Sequence, residues 1–231
     1  MRLVLVHSPL LGPVSWSAVA KELRDAGVES IIPSLGPSIS SAVMWRAHVA
    51  AVVETVSREA QRGGLWVVGH SGAGPLLPAV GTELAGRVKR YVFVDAALPH
   101  PGRSRFDALP DRFVEHVRSL EVDGLLPPWT EWFGPDEIAR IIDEPGLRAQ
   151  FEVEVPRVPL RMFEETMPVV PSWPDAPCSF LRLSEPYENE LRQAEEMGWA
   201  TSNLEGHHLW LLSRPGQVAA AILALANPPK P

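Results

Sequence analysis

Short apolar runs alternate with longer amphipathic stretches along most of the chain. Six runs have the length and bounding Gly, Pro or polar residues of buried strands; they are 3–7, 29–33, 65–69, 90–95, 179–183 and 200–204. Apolar positions at helical spacing between them predict helices at 16–26, 41–61, 73–85, 190–197 and 217–226. This alternation predicts an α/β fold, with a mostly parallel sheet of about six strands flanked by helices.

The segment 98–170 interrupts the alternation. Prolines divide it into helical pieces at 112–120, 136–142 and 147–154, and it has no convincing strand. A helical insertion that cannot join the sheet must lie across one end of it, so we expect a cap at 98–170 on a core of 1–97 and 171–231. The cap side chains expected to bind substrate are Trp129, Trp132, Phe133, Met162 and Phe163. Taken singly, each of these more often packs an insertion onto its core than contacts a ligand.

The composition narrows the class of protein. The chain has 231 residues, of which 45% are hydrophobic, and a net charge of −7. An acidic balance argues against nucleic acid or an anionic membrane as partner. Cys178 is the only cysteine, which excludes an internal disulfide and favours a reducing compartment. The run at 3–6 is too short for a signal peptide, and no run has membrane-spanning length. We expect a cytoplasmic monomer or homodimer that acts on a small molecule.

A serine stands between small residues at the junction of a predicted strand and a predicted helix. The sequence Gly69-His70-Ser71-Gly72-Ala73 follows the apolar run Leu65-Trp66-Val67-Val68. This pattern is typical of a nucleophile elbow, a sharp turn that needs tiny neighbours because strand and helix approach each other there. The turn raises the Ser71 hydroxyl above the sheet and leaves the Gly72 N–H free to face an oxyanion.

A nucleophilic serine needs a base, and two histidines occur in a suitable loop. Glu205-Gly206-His207-His208-Leu209 lies between the last predicted strand and the last predicted helix. Loops that leave the carboxyl ends of parallel strands gather on one side of the sheet, where the elbow also lies. A metal-binding doublet is not supported, because no carboxylate-rich motif accompanies the pair.

Taken together, these motifs resemble the α/β-hydrolases, in particular the compact members related to plant esterases and hydroxynitrile lyases. The matching residues are Leu3-Val4-Leu5-Val6-His7, Ser15-Trp16, Gly69-His70-Ser71-Gly72-Ala73, Tyr91-Val92-Phe93-Val94-Asp95, Gly206-His207-His208-Leu209 and Arg214-Pro215. The resemblance implies a Ser–His–acid triad that needs no cofactor and no metal, with Ser71 as nucleophile. The catalytic histidine of this family stands in a Gly-x-His pattern seven positions before a proline. His208 satisfies both conditions with Gly206 and Pro215, so it is preferred to His207.

The acid of the triad departs from the family pattern. The family usually supplies it just after the strand predicted at 179–183, where this chain has Ser184-Glu185-Pro186-Tyr187-Glu188 and no aspartate. Glu185 lies closest to the expected turn and is the first choice. Glu188 is one alternative, and Asp95 is another because some members take the acid from the end of the preceding strand.

The loop after the first strand also departs from the pattern. Relatives have His-Gly-x, in which the N–H of x helps to bind the oxyanion, whereas this chain has His7-Ser8-Pro9-Leu10. Proline has no N–H, and loss of one such donor costs about 3 kcal/mol of transition-state stabilisation. The donors expected are therefore Gly72 and either the Leu10 N–H from a reshaped loop or the Ser8 hydroxyl.

The activity that the resemblance implies is hydrolysis of a carboxylic ester or thioester bond in a small, largely apolar substrate. The two departures keep two alternatives open. One is a lyase or cofactor-independent oxygenase, in which the histidine is the base and the serine only positions the substrate. The other is a catalytically silent protein that binds a small apolar ligand in the capped cavity.

Overall fold

A six-stranded parallel sheet forms the centre of the protein. The structure is a computed structural model that describes residues 2–36, 41–60, 62–134 and 137–226. The strands of the sheet are β1 (Arg2–Val6), β2 (Ser30–Ile31), β3 (Leu65–His70), β4 (Val88–Val94), β7 (Cys178–Arg182) and β8 (Ala200–Asn203). Two short strands outside it are β5 (Leu125–Leu126) and β6 (Val158–Pro159). The order across the sheet is β2-β1-β3-β4-β7-β8, and all of its pairings are parallel. The predicted α/β fold class is confirmed.

Helices cover both faces of the sheet. They are α1 (Val14–Asp25), α2 (Met44–Glu59), α3 (Leu77–Glu83), α4 (Asp111–Ser119), α5 (Glu137–Ile141), α6 (Pro145–Glu154), α7 (Glu188–Glu196), α8 (Trp210–Ser213) and α9 (Pro215–Ala226). Five short 3-10 turns are Ser71–Leu76, Phe106–Ala108, Trp129–Glu131, Leu160–Phe163 and Glu185–Tyr187. The predicted helix at 73–85 therefore starts as a 3-10 turn, in keeping with the poor α-helical propensity of Gly74 and Pro75. Among the described residues, no helix is both long and apolar enough to cross a membrane. Predictions that include residues 1, 61, 136 and 227–231 lie in part outside the described residues.

Alternation along the strands divides the core into two layers. Leu3 and Leu5 of β1 face α1 and α9, whereas Val4 and Val6 face the layer that contains α2, α3 and α7. Neighbouring side chains of a strand point to opposite faces, so a strand that is buried on both faces has to be apolar throughout. This explains why the strand runs at 3–6 and 65–68 have no polar residues.

The segment between β4 and β7 packs on loops at the carboxyl edge of the sheet. In one apolar cluster, Ile138, Ile142 and Phe151 of this segment pack with Leu11, after β1, and Leu209, after β8. A second cluster lies around Phe106, Val117, Leu126, Trp132, Val158 and Phe163, with Leu10 packed against it. The expectation that this segment has no strand is wrong in one detail, because β5 and β6 pair antiparallel. Two residues per strand are too few to give an alternating pattern. The division into a core and a cap stays a prediction.

Two glutamates of this segment cap helices of the core. Glu154 Oε2 accepts a hydrogen bond of 2.7 Å from Val14 N at the start of α1. The two carboxylate oxygens of Glu165 accept bonds of 2.8 and 3.0 Å from Met44 N and Trp45 N at the start of α2. Neither helix has a side-chain cap from its own N-cap residue. The glutamates therefore satisfy N–H groups that would otherwise lack partners, and place negative charge where the helix dipole favours it.

The buried His7 braces the loop after β1. His7 Nδ1 donates to Ser8 O at 2.8 Å, and its Nε2 accepts from Leu35 N at 3.2 Å, so the neutral ring satisfies both partners. Burial lowers the pKa of His7 to about 4. Burial also lowers the pKa of His48 to about 4, with a smaller contribution from the charge of His7.

The pKa of His48 makes stability depend on pH. The folded-state pKa lies below the ordinary value of 6.5, so the unfolded chain binds more protons and stability falls as the pH drops from about 6.5 towards 4. The loss attributable to His48 is about 2 kcal/mol at pH 5. Urea denaturation at pH 7.5 and pH 5 should show a smaller loss of unfolding free energy, by this amount, in His48→Gln than in wild type. Equal losses in the two proteins would contradict a neutral His48 in the folded state.

Candidate active site

Ser71 lies on a strained turn at the carboxyl end of β3. Its φ is +57°, in the left-handed region that few residues other than glycine adopt. The turn brings strand and helix together, since a Cβ on Gly69 would lie 3.0 Å from the Leu77 side chain. A Cβ on Gly74 would lie 1.9 Å from Ala97 O, which requires glycine there. The local geometry is that of the predicted elbow, and Gly74 is a requirement that the sequence analysis did not identify.

Asp95 supplies the carboxylate beside the imidazole of His208. It follows β4 with a φ of +44° and is fully buried. Its Oδ1 accepts from Leu183 N at 2.7 Å and Ser184 N at 3.0 Å, and its Oδ2 accepts from Ser184 Oγ at 2.5 Å. His208 Nδ1 lies 2.7 Å from Oδ2. A charge buried in this way is stabilised by its hydrogen bonds, and it holds the Nδ1 proton of the imidazole.

His208 is clamped between aromatic rings. The Tyr187 ring is nearly parallel to the imidazole, with an interplanar angle of 6° and a centroid distance of 5.1 Å. On another side lies the His70 ring at 4.4 Å, and the Trp129 ring is 5.9 Å away. His70 Nε2 also donates to the His208 carbonyl at 3.1 Å. Burial holds the pKa of His70 well below its usual value, so the ring next to the candidate base is neutral.

The other candidate acids and the other histidine lie elsewhere. Glu185, the first choice from the sequence, has an exposed side chain at the start of the turn after β7. Glu188 pairs with Arg182 and Arg192 on α7. His207 Nε2 is 3.5 Å from Ser213 Oγ, turned towards α8. The structure thus corrects the expectation that Glu185 contacts the imidazole. Asp95 takes that place because Asp95 N continues the strand pairing to Leu181 O at 2.7 Å, which carries the carboxylate to the end of β7.

The Ser71 hydroxyl faces a phenol. Its hydrogen-bond partner among the described residues is Tyr187 OH at 3.4 Å, and no hydrogen bond joins it to His208 in that part of the chain. With the Nδ1 proton directed at Asp95, His208 Nε2 has a free lone pair that can accept a proton. Hydrogen bonds between nucleophile and base are often loose without substrate and tighten in the reactive complex.

The loop after β1 places a serine hydroxyl beside Gly72. A Cβ on Gly72 would lie 3.1 Å from Ser8 Oγ and 3.5 Å from Pro9 Cδ, so the buried Ser8 hydroxyl adjoins Gly72. The Leu10 N–H donates to the same Ser8 Oγ at 3.2 Å. The expected role of Leu10 as a free donor therefore does not fit this loop, because its N–H already has a partner.

The five side chains predicted to bind substrate divide into three groups. Trp129 is half-buried and reaches the His208 ring. Trp132 and Phe163 are buried inside the second cluster, where Phe163 stacks on Phe106 at 5.3 Å, and Met162 packs against them. Phe133 is 48% exposed. Of the five residues predicted to bind substrate, Trp129 is thus the one whose ring is within 6 Å of a triad candidate, while the buried pair holds the insertion together.

Tyr187 and its neighbours were not identified from the sequence. Burial raises the pKa of Tyr187 to about 12, against the opposing charge of Arg105. Burial also lowers the pKa of Arg105 and raises that of Glu190, two groups that interact electrostatically. The signal in the sequence is an aromatic residue in the turn Glu185-Pro186-Tyr187 just after a strand end, beside the two candidate carboxylates Glu185 and Glu188.

Comparison with solved structures gives hydrolases and esterases of the same fold. An extracellular α/β-hydrolase from a Paenibacillus species has a TM-score of 0.80 and 19% identity, over 97% of this chain and 98% of that one. A pyrethroid hydrolase from Sphingobium faniae has a TM-score of 0.77 and 18% identity, over 99% and 98%. Polyneuridine aldehyde esterase has a TM-score of 0.72 and 16% identity, over 98% and 99%. At these identities the likeness concerns the fold alone.

Sequence comparison decides the family. No curated protein matches the chain. The sequence profile of the alpha/beta hydrolase family matches residues 3–221, nearly the whole length. The fold, the strained serine turn and the Asp95–His208 pair agree with that match. The chain belongs to the α/β-hydrolase family.

Proposed function

We propose that this α/β-hydrolase cleaves carboxylic ester or thioester bonds of a small, largely apolar substrate, with Ser71, His208 and Asp95 as its triad. The observation that carries the proposal is the 2.7 Å contact between Asp95 Oδ2 and His208 Nδ1, at the same sheet edge as the strained Ser71 turn. The contact fixes one tautomer of the imidazole and leaves Nε2 to act as the base.

Acylation follows from this arrangement. Ser71 Oγ attacks the acyl carbon as His208 Nε2 takes its proton, and the imidazolium that forms is stabilised by the Asp95 carboxylate. The carbonyl electrons move to oxygen, where the Gly72 N–H and the Ser8 hydroxyl stabilise the negative charge. The bond to the leaving group then breaks, and His208 returns the proton to the departing oxygen or sulfur.

Deacylation repeats the same steps with water. His208 Nε2 takes a proton from a water molecule, whose oxygen attacks the acyl carbon of the ester on Ser71. Collapse of the second tetrahedral intermediate breaks the bond to Ser71 Oγ, which recovers its proton from His208. The carboxylic acid leaves and the enzyme returns to its starting state.

The apolar character proposed for the substrate rests on the walls of the site. Trp129 lies beside His208, and Leu10 and Met162 pack against the cluster next to it. Such walls favour an aliphatic or aromatic acyl or alcohol group.

One observation favours a second candidate function, a lyase or oxygenase reaction with His208 as base on a carbon acid. Among the described residues, the Ser71 hydroxyl has Tyr187 rather than His208 as its hydrogen-bond partner. In that reaction Ser71 only positions the substrate. The silent binding protein is less well supported, because a carboxylate does lie within hydrogen-bond distance of His208.

An activated Ser71 should react with a fluorophosphonate probe. We expect wild type and Ser17→Ala, a control on the surface of α1, to be labelled, and Ser71→Ala to be unlabelled. Hydrolysis of p-nitrophenyl esters should fall at least about a thousandfold in Ser71→Ala and in His208→Ala. Turnover that survives in Ser71→Ala but not in His208→Ala would support the second candidate. Labelling that persists in Ser71→Ala would contradict the proposal.

The identity of the acid can be tested with matched amide substitutions. Asp95→Asn removes the negative charge beside the imidazole, so kcat should fall about 100- to 10,000-fold. Glu185→Gln, the matched control, should keep kcat within about twofold because its side chain is exposed and away from the imidazole. The measurement is kcat for ester hydrolysis, with circular dichroism to confirm folding. The reverse order of effects would reassign the acid to Glu185.

The Ser8 hydroxyl can be tested as an oxyanion donor. Ser8→Ala should lower kcat about 100-fold with little change in KM, because the interaction is made only in the transition state. In the double variant with Pro9→Ala, a backbone N–H is restored at position 9 and part of the lost kcat should return. An unchanged kcat in Ser8→Ala would exclude the hydroxyl from the oxyanion site.

A further inference from the structure

Tyr187 contacts both the candidate nucleophile and the candidate base. Its ring stacks on the imidazole of His208, and its hydroxyl lies 3.4 Å from Ser71 Oγ. A hydrogen bond between two hydroxyl groups usually spans about 2.7 Å. The phenol is therefore next to Ser71 but only weakly bonded to it, so its O–H can rotate towards an atom of the substrate.

The position of the Tyr187 hydroxyl determines which atom of the tetrahedral intermediate it can contact. The reacting carbon carries Ser71 Oγ, the oxyanion, the acyl group and the leaving-group oxygen. In the proposed mechanism the oxyanion points to Gly72 and Ser8, which adjoin each other. The leaving-group oxygen has to point to His208, which returns the proton to it. The Tyr187 ring stacks on that imidazole and its hydroxyl adjoins Ser71 Oγ, an arrangement that favours contact with the leaving-group oxygen.

We propose that Tyr187 is a further catalytic residue, whose hydroxyl donates a hydrogen bond to the leaving-group oxygen as the acyl carbon–oxygen bond breaks. The electron pair of that bond passes to the leaving oxygen, which takes its proton from His208 Nε2. Tyr187 keeps its own proton and stabilises the charge that accumulates before the transfer is complete. This inference rests on the proposed ester hydrolysis and adds a residue to it.

The environment of Tyr187 suits a group that donates without ionising. Burial raises the pKa of the phenol to about 12, so the hydroxyl keeps its proton at neutral pH. The nearby Arg105 charge acts in the opposite direction. A positive charge polarises the O–H bond and makes it a stronger hydrogen-bond donor.

The role predicts a dependence on the leaving group. An alcohol leaves with more charge on its oxygen than a p-nitrophenol does, so its departure gains more from a hydrogen bond. Two esters of one acid, an ethyl ester and a p-nitrophenyl ester, form the same acyl-enzyme and differ only in acylation, which kcat/KM reports. In Tyr187→Phe, the ratio of kcat/KM for the ethyl ester to that for the p-nitrophenyl ester should fall about 10- to 100-fold.

Two further variants separate this role from support of the imidazole. Tyr187→Leu also removes the ring, so both rates should fall further while the ratio stays that of Tyr187→Phe. Tyr91→Phe removes the other tyrosine hydroxyl, which donates to Asp175 at 2.8 Å, and should keep the wild-type ratio.

The outcomes distinguish this inference from the proposed function. A ratio that falls in both Tyr187 variants supports the catalytic hydroxyl. An unchanged ratio in Tyr187→Phe, with wild type active on both esters and labelled at Ser71, overturns the role of Tyr187 and leaves the hydrolase intact. Wild type that cleaves neither ester and is not labelled by the fluorophosphonate overturns both.

Discussion

The Asp95 carboxylate holds together the parts of the sheet on which the site depends. It is completely buried, and a buried charge without partners would be prohibitively costly. Its three protein hydrogen bonds beside His208 come from the backbone and hydroxyl groups of Leu183 and Ser184, just past β7. One side chain thus joins the end of β4 to the end of β7 and to the loop after β8. The loops of three adjacent strands acquire a fixed relation through this single carboxylate, and the imidazole of His208 acquires a fixed orientation.

A second constraint fixes the segment above the sheet edge. The carboxylates of Glu154 and Glu165 satisfy the first N–H groups of α1 and α2, helices whose own N-cap residues provide no side-chain bond. The inserted segment and the core therefore complete each other's hydrogen bonding. The same segment brings Trp129 to His208. Polar contacts at helix ends and the apolar clusters together fix the position of this segment. This favours a fixed position for Trp129 beside His208.

The sequence predicts the features that are local and misses those that depend on distant pairing. The sheet and the Ser71 turn follow from apolar runs and small residues within a few positions of each other. The partner of His208 does not follow from such local patterns. It depends on how far the pairing of β4 with β7 continues, up to the Asp95 N–H, before the positive φ of Asp95 turns the chain. The place of Glu185 in the sequence favours it as the acid, yet its side chain is exposed. Likewise, the engagement of Leu10 N by Ser8 depends on the shape of one loop.

Two hydroxyl groups adjoin the Ser71 turn, next to a loop in which Pro9 has no backbone N–H to offer. A backbone N–H is held by the chain itself, whereas a hydroxyl can rotate and must be oriented to be useful in catalysis. Ser8 Oγ accepts the Leu10 N–H, so its own proton has to point elsewhere, and its neighbour on the other side is Gly72. Tyr187 is restrained by its stacking on His208. The oxygen atoms of both hydroxyls therefore have limited freedom before substrate binds, which favours electrostatic stabilisation by groups that reorganise little during the reaction.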